Sequence, residues 1–313
     1  MKLIRLFIFL NIKLGILGSI LMKIFLKINN AKIGKNTYVS FSSRIVARNK
    51  IVIGNDCVIK SRVKMKADNI TIGHNCIISE ECYITGDDSF FLGNNSYIGK
   101  KVRIDISKSV LIGEDVGVGE KSAIWTHGYF PPADEGYPIT YAPVSIGNGT
   151  WVSTNIIILP GIKIGKNVII GAGSVVTKNV DDSSLIAGNP AKFLKKSTEL
   201  KNAKNFIQIM NEIFINYPNY ILLDKNESML KYKTGQKFLY ILDGKKMHPD
   251  TLKIFPKKTL IVFKNLDNFS GFKTKDYYWF DLSSREMTSF QSKEVNALVN
   301  LLRIHGIRLV KIY

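Results

Sequence analysis

The sequence predicts a mainly β protein centred on a parallel coil of short strands, three to a turn, and three regularities carry that prediction. An aliphatic–glycine pair recurs as Ile33-Gly34, Ile53-Gly54, Ile72-Gly73, Leu92-Gly93, Ile112-Gly113, Ile146-Gly147 and Ile164-Gly165, with glycines 20, 19, 20, 20, 34 and 18 residues apart. Six residues after each aliphatic stands Val39, Ile59, Ile78, Ile98, Val118, Val152 or Ile170; twelve after it stands Ile45, Met65, Ile84, Ile104, Ile124, Ile158 or Val176. Four after it the residue is small or β-branched: Thr37, Cys57, Cys76, Ser96, Val116, Thr150 and Val168. A period of six throws successive residues onto opposite sides of a 3.6-residue helix, so no helix can use it. Three strands per triangular turn can, with one aliphatic per hexad inward and the small residue filling the corner. About seven coils are expected.

The first element, residues 1–30, is apolar but studded with Lys2, Arg5, Lys13, Lys23 and Lys27. Its longest stretch without a charge, Leu14 to Met22, is too short to span a bilayer, which takes about 20 residues, and no small-residue cleavage site of a signal peptide follows. The pattern predicts an amphipathic helix. It either lies in a membrane interface with its lysines toward acidic headgroups or packs on the next domain or in an oligomer.

The repeat domain is expected over residues 31–196. Asn36, Asp56, Asn75, Asn95, Asp115 and Asn167 stand three after the aliphatic, where a turn residue tolerant of left-handed backbone is wanted. Cys57, Cys76 and Cys82 form no CxxC pair, so they read as small core residues in a reducing, cytoplasmic compartment. Charge is a separate matter. Lys and Arg number 44 against 25 Asp and Glu, for a formal charge of +19. Nucleic acid, an anionic membrane face or a phosphate-bearing small molecule would each suit that excess. No nucleic-acid-binding signature accompanies it, so no nucleic-acid partner is expected.

The interval of 34 is one coil plus about sixteen residues, and these fall in SAIWTHGYFPPADEGYPITYAPVSIG, residues 122–147. The rhythm stops there, and an extruded loop is expected, with His127 at its mouth. The repeats resemble the left-handed parallel β-helix of hexapeptide-repeat acyltransferases. SIGNGTWVSTNIIILPGIKIGKNVIIGAGSVVTKNV, followed by IAGNPAKFLKK, is similar to that family's C-terminal signature. The likeness covers roughly residues 31 to 196 and is nearest to galactoside and maltose acetyltransferases and to surface-polysaccharide O-acetyltransferases. The left hand is implied by the resemblance, not by the spacing.

The resemblance implies transfer of an acetyl group from acetyl-CoA to a sugar hydroxyl of a surface polysaccharide or its precursor. It makes His127 the general base, a fixed distance before Trp151 of the next coil. Imidazole suits that role, because its unperturbed pKa of about 6.5 lets it take a hydroxyl proton near neutral pH. Asp105, Asp134, Glu135 or a backbone carbonyl could hold its other nitrogen. The resemblance further implies a homotrimer, with coenzyme A in a slot between adjacent subunits. Matching residue by residue assigns Trp151, Thr154, Ala172, Thr177, Lys178, Lys192 and Lys195 to coenzyme A. Lys192 and Lys195 stand where many members carry arginine; lysine keeps the charge but loses the bidentate fork. Ser153 replaces the family's glycine.

No metal is expected. The carbonic anhydrase built on the same coil needs three histidines, and only His74 and His127 lie in the repeats. Within the acyltransferases, N-acetylation of a nucleotide-linked amino sugar and xenobiotic acetylation use residues that the sequence does not separate. A non-catalytic scaffold is the alternative of a different class. The final element, residues 197–313, loses the hexad period. ELKNAKNFIQIMNEIFIN and KEVNALVNLLRIHG read as helices, and YILLD, KFLYIL, TLIVFKN, DYYWFDL and IRLVKIY as strands of a small α/β domain. Tyr277, Tyr278 and Trp279 could stack on a sugar or fill a core.

Overall fold

The computed structural model describes residues 2–128 and 132–201. Beyond these it describes 204, 206–217, 220–225, 229–234, 237–242, 260–263, 278–282, 286–287, 293–304 and 310–311. The chain divides into two compact units, Met1–Lys201 and Asn202–Tyr313.

The first unit is a mainly β parallel solenoid. Every aliphatic of the second hexad column, from Val39 to Ile170, is buried to 1% exposure or less, and the third column, Ile45 to Val176, to 3% or less. The strands are two to four residues long for most of the coil, because each corner turns the chain after one inward side chain. The second face stacks Tyr38–Val39, Val58–Ile59, Ile77–Ile78, Tyr97–Ile98, Gly117–Val118, Trp151–Val152 and Ile169–Ile170, all in parallel register. It continues through Ser184–Gly188, one rung beyond the expected seven, and ends on Ala191–Lys196, which pairs antiparallel.

Corner chemistry follows the hexads. Asn36, Asp56, Asn75, Asn95, Asp115 and Asn167 all adopt φ between 55° and 59°, the left-handed region that Asn and Asp tolerate best after glycine. The small residues inside the same corner donate to the carbonyl of the next aliphatic–glycine pair. Thr37 bonds Gly54, Cys57 bonds Gly73, Cys76 bonds Gly93, Ser96 bonds Gly113 and Thr150 bonds Gly165. All three cysteines are free and buried; burial pushes the Cys82 thiol up to about 11, whereas hydrogen bonding with Cys76 holds the Cys57 thiol below its ordinary value. His74 occupies a turn and accepts a hydrogen bond from the Asn55 amide at 2.9 Å.

The extra residues of the 19- and 20-residue intervals all fall at one corner, between the third face and the first. In the lower coils they straighten it, so that Arg44–Ile53 and Lys64–Ile72 run through as single strands. Three coils above Lys64–Ile72 the same corner carries the extruded loop. Length is absorbed where the site lies.

Helix α1 spans Lys2–Ile28. Met22 and Leu26 are buried, and the Ser19 hydroxyl accepts from the Val39 amide at 3.0 Å, so α1 packs on the first coil. Its other side exposes Ile16, Leu17, Ile20, Leu21, Ile24 and Phe25. No helix among the described residues is long and apolar enough to cross a membrane.

Among its described residues the second unit carries helix α2 (Phe206–Ile215), helix α3 (Lys293–Ile304) and a mixed seven-stranded sheet whose strands follow chain order. The first helix starts at Phe206 instead of Glu199. Residues Ser197–Leu200 form a 3₁₀ turn instead, with the Glu199 carboxylate accepting from the Lys196 amide. The strand Met229–Thr234 has too many lysines to stand out as apolar, yet it pairs on both sides. Tyr278 and Trp279 lie on the strand Tyr278–Asp281; Tyr277, His248 and His305 lie outside the described residues.

Candidate active site

The third face brings Ala123–Ile124, Ile157–Ile158 and Val175–Val176 into register. The corner after it therefore stacks three consecutive coils: His127 in one, Pro160 in the next and Thr177-Lys178 in the last. Adjacent strands are about 4.8 Å apart, which puts His127 on the order of 10 Å from the Thr177 level. His127 and Gly128 pair antiparallel with Thr140–Tyr141 and so close the neck of the loop. Residues 129–131 lie outside the described residues, and Ala133–Glu135 form a 3₁₀ turn with Asp134 and Glu135 exposed.

His127 is held from the coil below. Its Nδ1 lies 2.8 Å from Asp105 Oδ1 and 3.2 Å from the Ser107 hydroxyl. An ionised carboxylate only accepts, so Nδ1 carries the proton and Nε2 is the basic nitrogen. Asp105 also accepts from the Thr126 hydroxyl at 2.6 Å and from the Ser107 amide at 3.2 Å. Burial pushes this carboxyl up, but hydrogen bonds from Thr126, His127 and Ser107 outweigh that and hold it below the ordinary carboxylate value. The imidazole stacks on Tyr141, with centroids 5.9 Å apart and planes at 24°, and meets the edge of Trp125 at 6.2 Å. Of the carboxylates expected as orienting groups, Asp105 is in contact with His127. Ser107, Thr126 and Tyr141 complete the setting and were not singled out from sequence. Ser107 lies one 20-residue coil before His127, a signal the period itself contains.

The coenzyme candidates fall into two groups. Thr177, Lys178 and Lys192 line one groove of about 590 Å³, with Phe193 and Lys196 on its wall. Lys195 does not line it, because it sits across the hairpin opposite Leu185 while Lys196 turns into the groove. Thr154 and Ala172 occupy a different corner, after the second face, where the Gly173 amide donates to the Thr154 carbonyl. Trp151 is exposed on that face, opposite Gly117 and Ile169. One chain thus separates Trp151, Thr154 and Ala172 from the corner of His127. Among the described residues no group of three or more His, Cys, Asp or Glu could hold a metal ion.

These features define a class: a parallel β-solenoid with a carboxylate-held imidazole at a loop extruded from one corner. Residues 143–178 match the family described as Bacterial transferase hexapeptide (six repeats). The protein named "Putative acetyltransferase YJL218W", from Saccharomyces cerevisiae, is 35% identical over 117 residues, 36% of this chain and 58% of that one. "Putative lipopolysaccharide biosynthesis O-acetyl transferase WbbJ", from Escherichia coli strain K12, is 34% identical over 117 residues, 34% of this chain and 60% of that one. The chain therefore spans less than two thirds of the length of these relatives. Among solved structures, a maltose O-acetyltransferase from Clostridium difficile 630 is 24% identical and covers 50% of this chain and 70% of its own, with a TM-score of 0.30. The chain is similar to hexapeptide-repeat acetyltransferases, as its repeats and C-terminal motif imply.

Proposed function

We propose that the protein transfers an acetyl group from acetyl-CoA to a hydroxyl of a sugar, belonging to a surface polysaccharide or its precursor. The observation that carries this reading is the Asp105–His127 hydrogen bond, which commits Nε2 to act as a base at the loop mouth. The acceptor oxygen attacks the thioester carbonyl carbon while Nε2 takes its proton. The carbon–sulfur bond then breaks, and the imidazolium returns the proton to the coenzyme A thiolate. Asp105 stabilises the imidazolium between those steps.

Coenzyme A fits the groove beside Thr177, Lys178, Lys192 and Lys196, where three ammonium groups suit its phosphates. The separation of Thr154, Ala172 and Trp151 from this corner supports a homotrimer, in which a neighbouring copy supplies the second wall. A sugar acceptor is supported by the Escherichia coli relative, whose name concerns lipopolysaccharide biosynthesis. The exposed apolar side of α1, edged by Lys23 and Lys27, supports peripheral attachment to the inner, anionic membrane face.

The test is release of free coenzyme A thiol from acetyl-CoA across a panel of hydroxyl and amino sugars, free and nucleotide-linked. Turnover confined to hydroxyl acceptors and lost in His127→Ala supports the reading. Turnover confined to amino sugars would make the protein an N-acetyltransferase, and none with any acceptor would leave a scaffold.

A further inference from the structure

Outward side chains of the third face line up by register below the dyad. Arg44 stands opposite Lys64, Lys64 opposite Tyr83, and Tyr83 opposite Arg103. All four are exposed. The Lys64 ammonium lies 5.1 Å from the Tyr83 ring centroid and the Arg103 guanidinium 5.6 Å, so the ring is held between two cations. Among the described residues, Arg44, Lys64 and Arg103 have no carboxylate within ion-pair distance. Around the next corner, Lys60, Arg62 and Lys101 pair with Glu80 and Glu81.

Like charges directly opposite on neighbouring strands repel, so Arg44 beside Lys64 works against the coil. Tyr83 offsets part of that repulsion through its ring face. Departures from local consistency of this kind concentrate where a site needs them.

Placement says which reactant the column serves. Arg103 and Asp105 are alternate residues of one strand and point to the same side, about 6.5–7 Å apart. The column starts beside the dyad and runs toward the first coil. The groove with Lys178 and Lys192 belongs to the last coils, on the other side of His127. We infer that Arg103, Lys64 and Arg44, with Tyr83 between them, form an anion track that holds a phosphate or diphosphate group carried by the acceptor. Arginine offers a planar fork and lysine a point charge, a pairing suited to a group with several anionic oxygens. The word acceptor rests on the acetyltransferase reading; the track itself does not.

The experiment is calorimetric titration of inorganic pyrophosphate into the full chain saturated with coenzyme A, so that the donor groove is filled. The wild type should bind, more weakly as salt rises. Lys64→Ala/Arg103→Ala should weaken binding by about tenfold or more, and Arg103→Gln alone, which keeps the side chain's bulk, should weaken it in part. Lys50→Ala, an exposed cation off the column, should bind as the wild type does. Wild-type protein that does not bind, or a folded double variant that binds equally well, overturns the track. Two further arms separate the sources of the group: a nucleotide diphosphate sugar, and a sugar diphosphate on a short isoprenyl chain in detergent. The arm whose affinity the double variant lowers is the acceptor class; if neither is lowered, the assignment to the acceptor fails. Variant-sensitive pyrophosphate binding without acetyl transfer to any acceptor would sink the acetyltransferase reading and leave the track standing.

Discussion

In the proposed mechanism, the role of His127 turns on one hydrogen, the one between Nδ1 and Asp105. Replacing His127 with Ala should lower kcat by about 10²–10⁴, the usual worth of a positioned base, with coenzyme A affinity nearly unchanged. Steady-state kinetics with direct coenzyme A titration checks this, and a variant that keeps most of its kcat rules His127 out. Asp105→Asn should also lower kcat, since an amide can donate to Nδ1 and turn the proton-bearing nitrogen toward the acceptor. Asp105 affects stability as well. Its pKa is depressed in the folded state, so its contribution is complete above the ordinary carboxylate value of about 3.9 and is lost as pH falls through the lower folded value. Thermal melts of wild type and Asp105→Asn should therefore converge in acid and diverge above pH 5. His127 was legible in the sequence because a rhythm broke around it. Its contact with Asp105 was open to several candidates, because a 22-residue separation means contact only once the coil's own length at that corner is known.

Among the elements, the coil depends most on its corners. A Cβ on Gly93 would sit 2.5 Å from the carbonyl carbon of Gly113 in the next coil, and its nearest neighbours are all Gly113–Glu114 backbone with no flexible side chain to give way. Gly93→Ala should cost about 1–3 kcal/mol, the usual penalty for overpacking, read from denaturant unfolding; a change below 0.5 kcal/mol would mean the corner can open. Helix α1 should tolerate charge on its exposed side. Leu17→Glu/Leu21→Glu/Ile24→Glu keeps Ser19, Met22 and Leu26 on the first coil and should leave the melt unchanged. The same variant should stop co-sedimenting with phosphatidylglycerol vesicles. A wild type that never sediments, or a variant that still does, removes the membrane reading. The existence of α1 was legible from its apolar composition, but its packing was not, because nearly every side of it is apolar.

For the whole molecule, the informative division is that between Met1–Lys201 and Asn202–Tyr313. A chain ending at Lys201 should keep its β-rich circular dichroism and its affinity for coenzyme A, since Thr177, Lys178, Lys192 and Lys196 all remain. A well-folded truncation that no longer binds coenzyme A would show that the tail shapes the donor groove. The solenoid was legible nearly to its last coil, because one residue class recurs at a near-constant spacing and every recurrence after Ile33 is buried. The final rung at Leu185-Ile186 lacks the aliphatic–glycine pair and was missed for that reason. The tail was legible as helices and strands but not as a sheet order, since pairing among strands such as Met229–Thr234 and Lys237–Leu242 leaves no period to count.

The register of the coil also sets a schedule. Each rung pairs with the one made about 20 residues earlier, as Tyr83 does with Lys64 and Arg103 with Tyr83, except across the extruded loop, where Ile157 pairs with Ala123 one longer interval back. Such nearest-neighbour contacts let structure propagate one repeat at a time. On the ribosome, α1 emerges before the coils and packs on the first of them, and each new coil then finds its partner already in place. The antiparallel strand Ala191–Lys196 arrives last and covers the edge on which another coil would have grown. The order of synthesis is thus also the order of assembly, and the growing edge is never open for longer than one coil takes to translate.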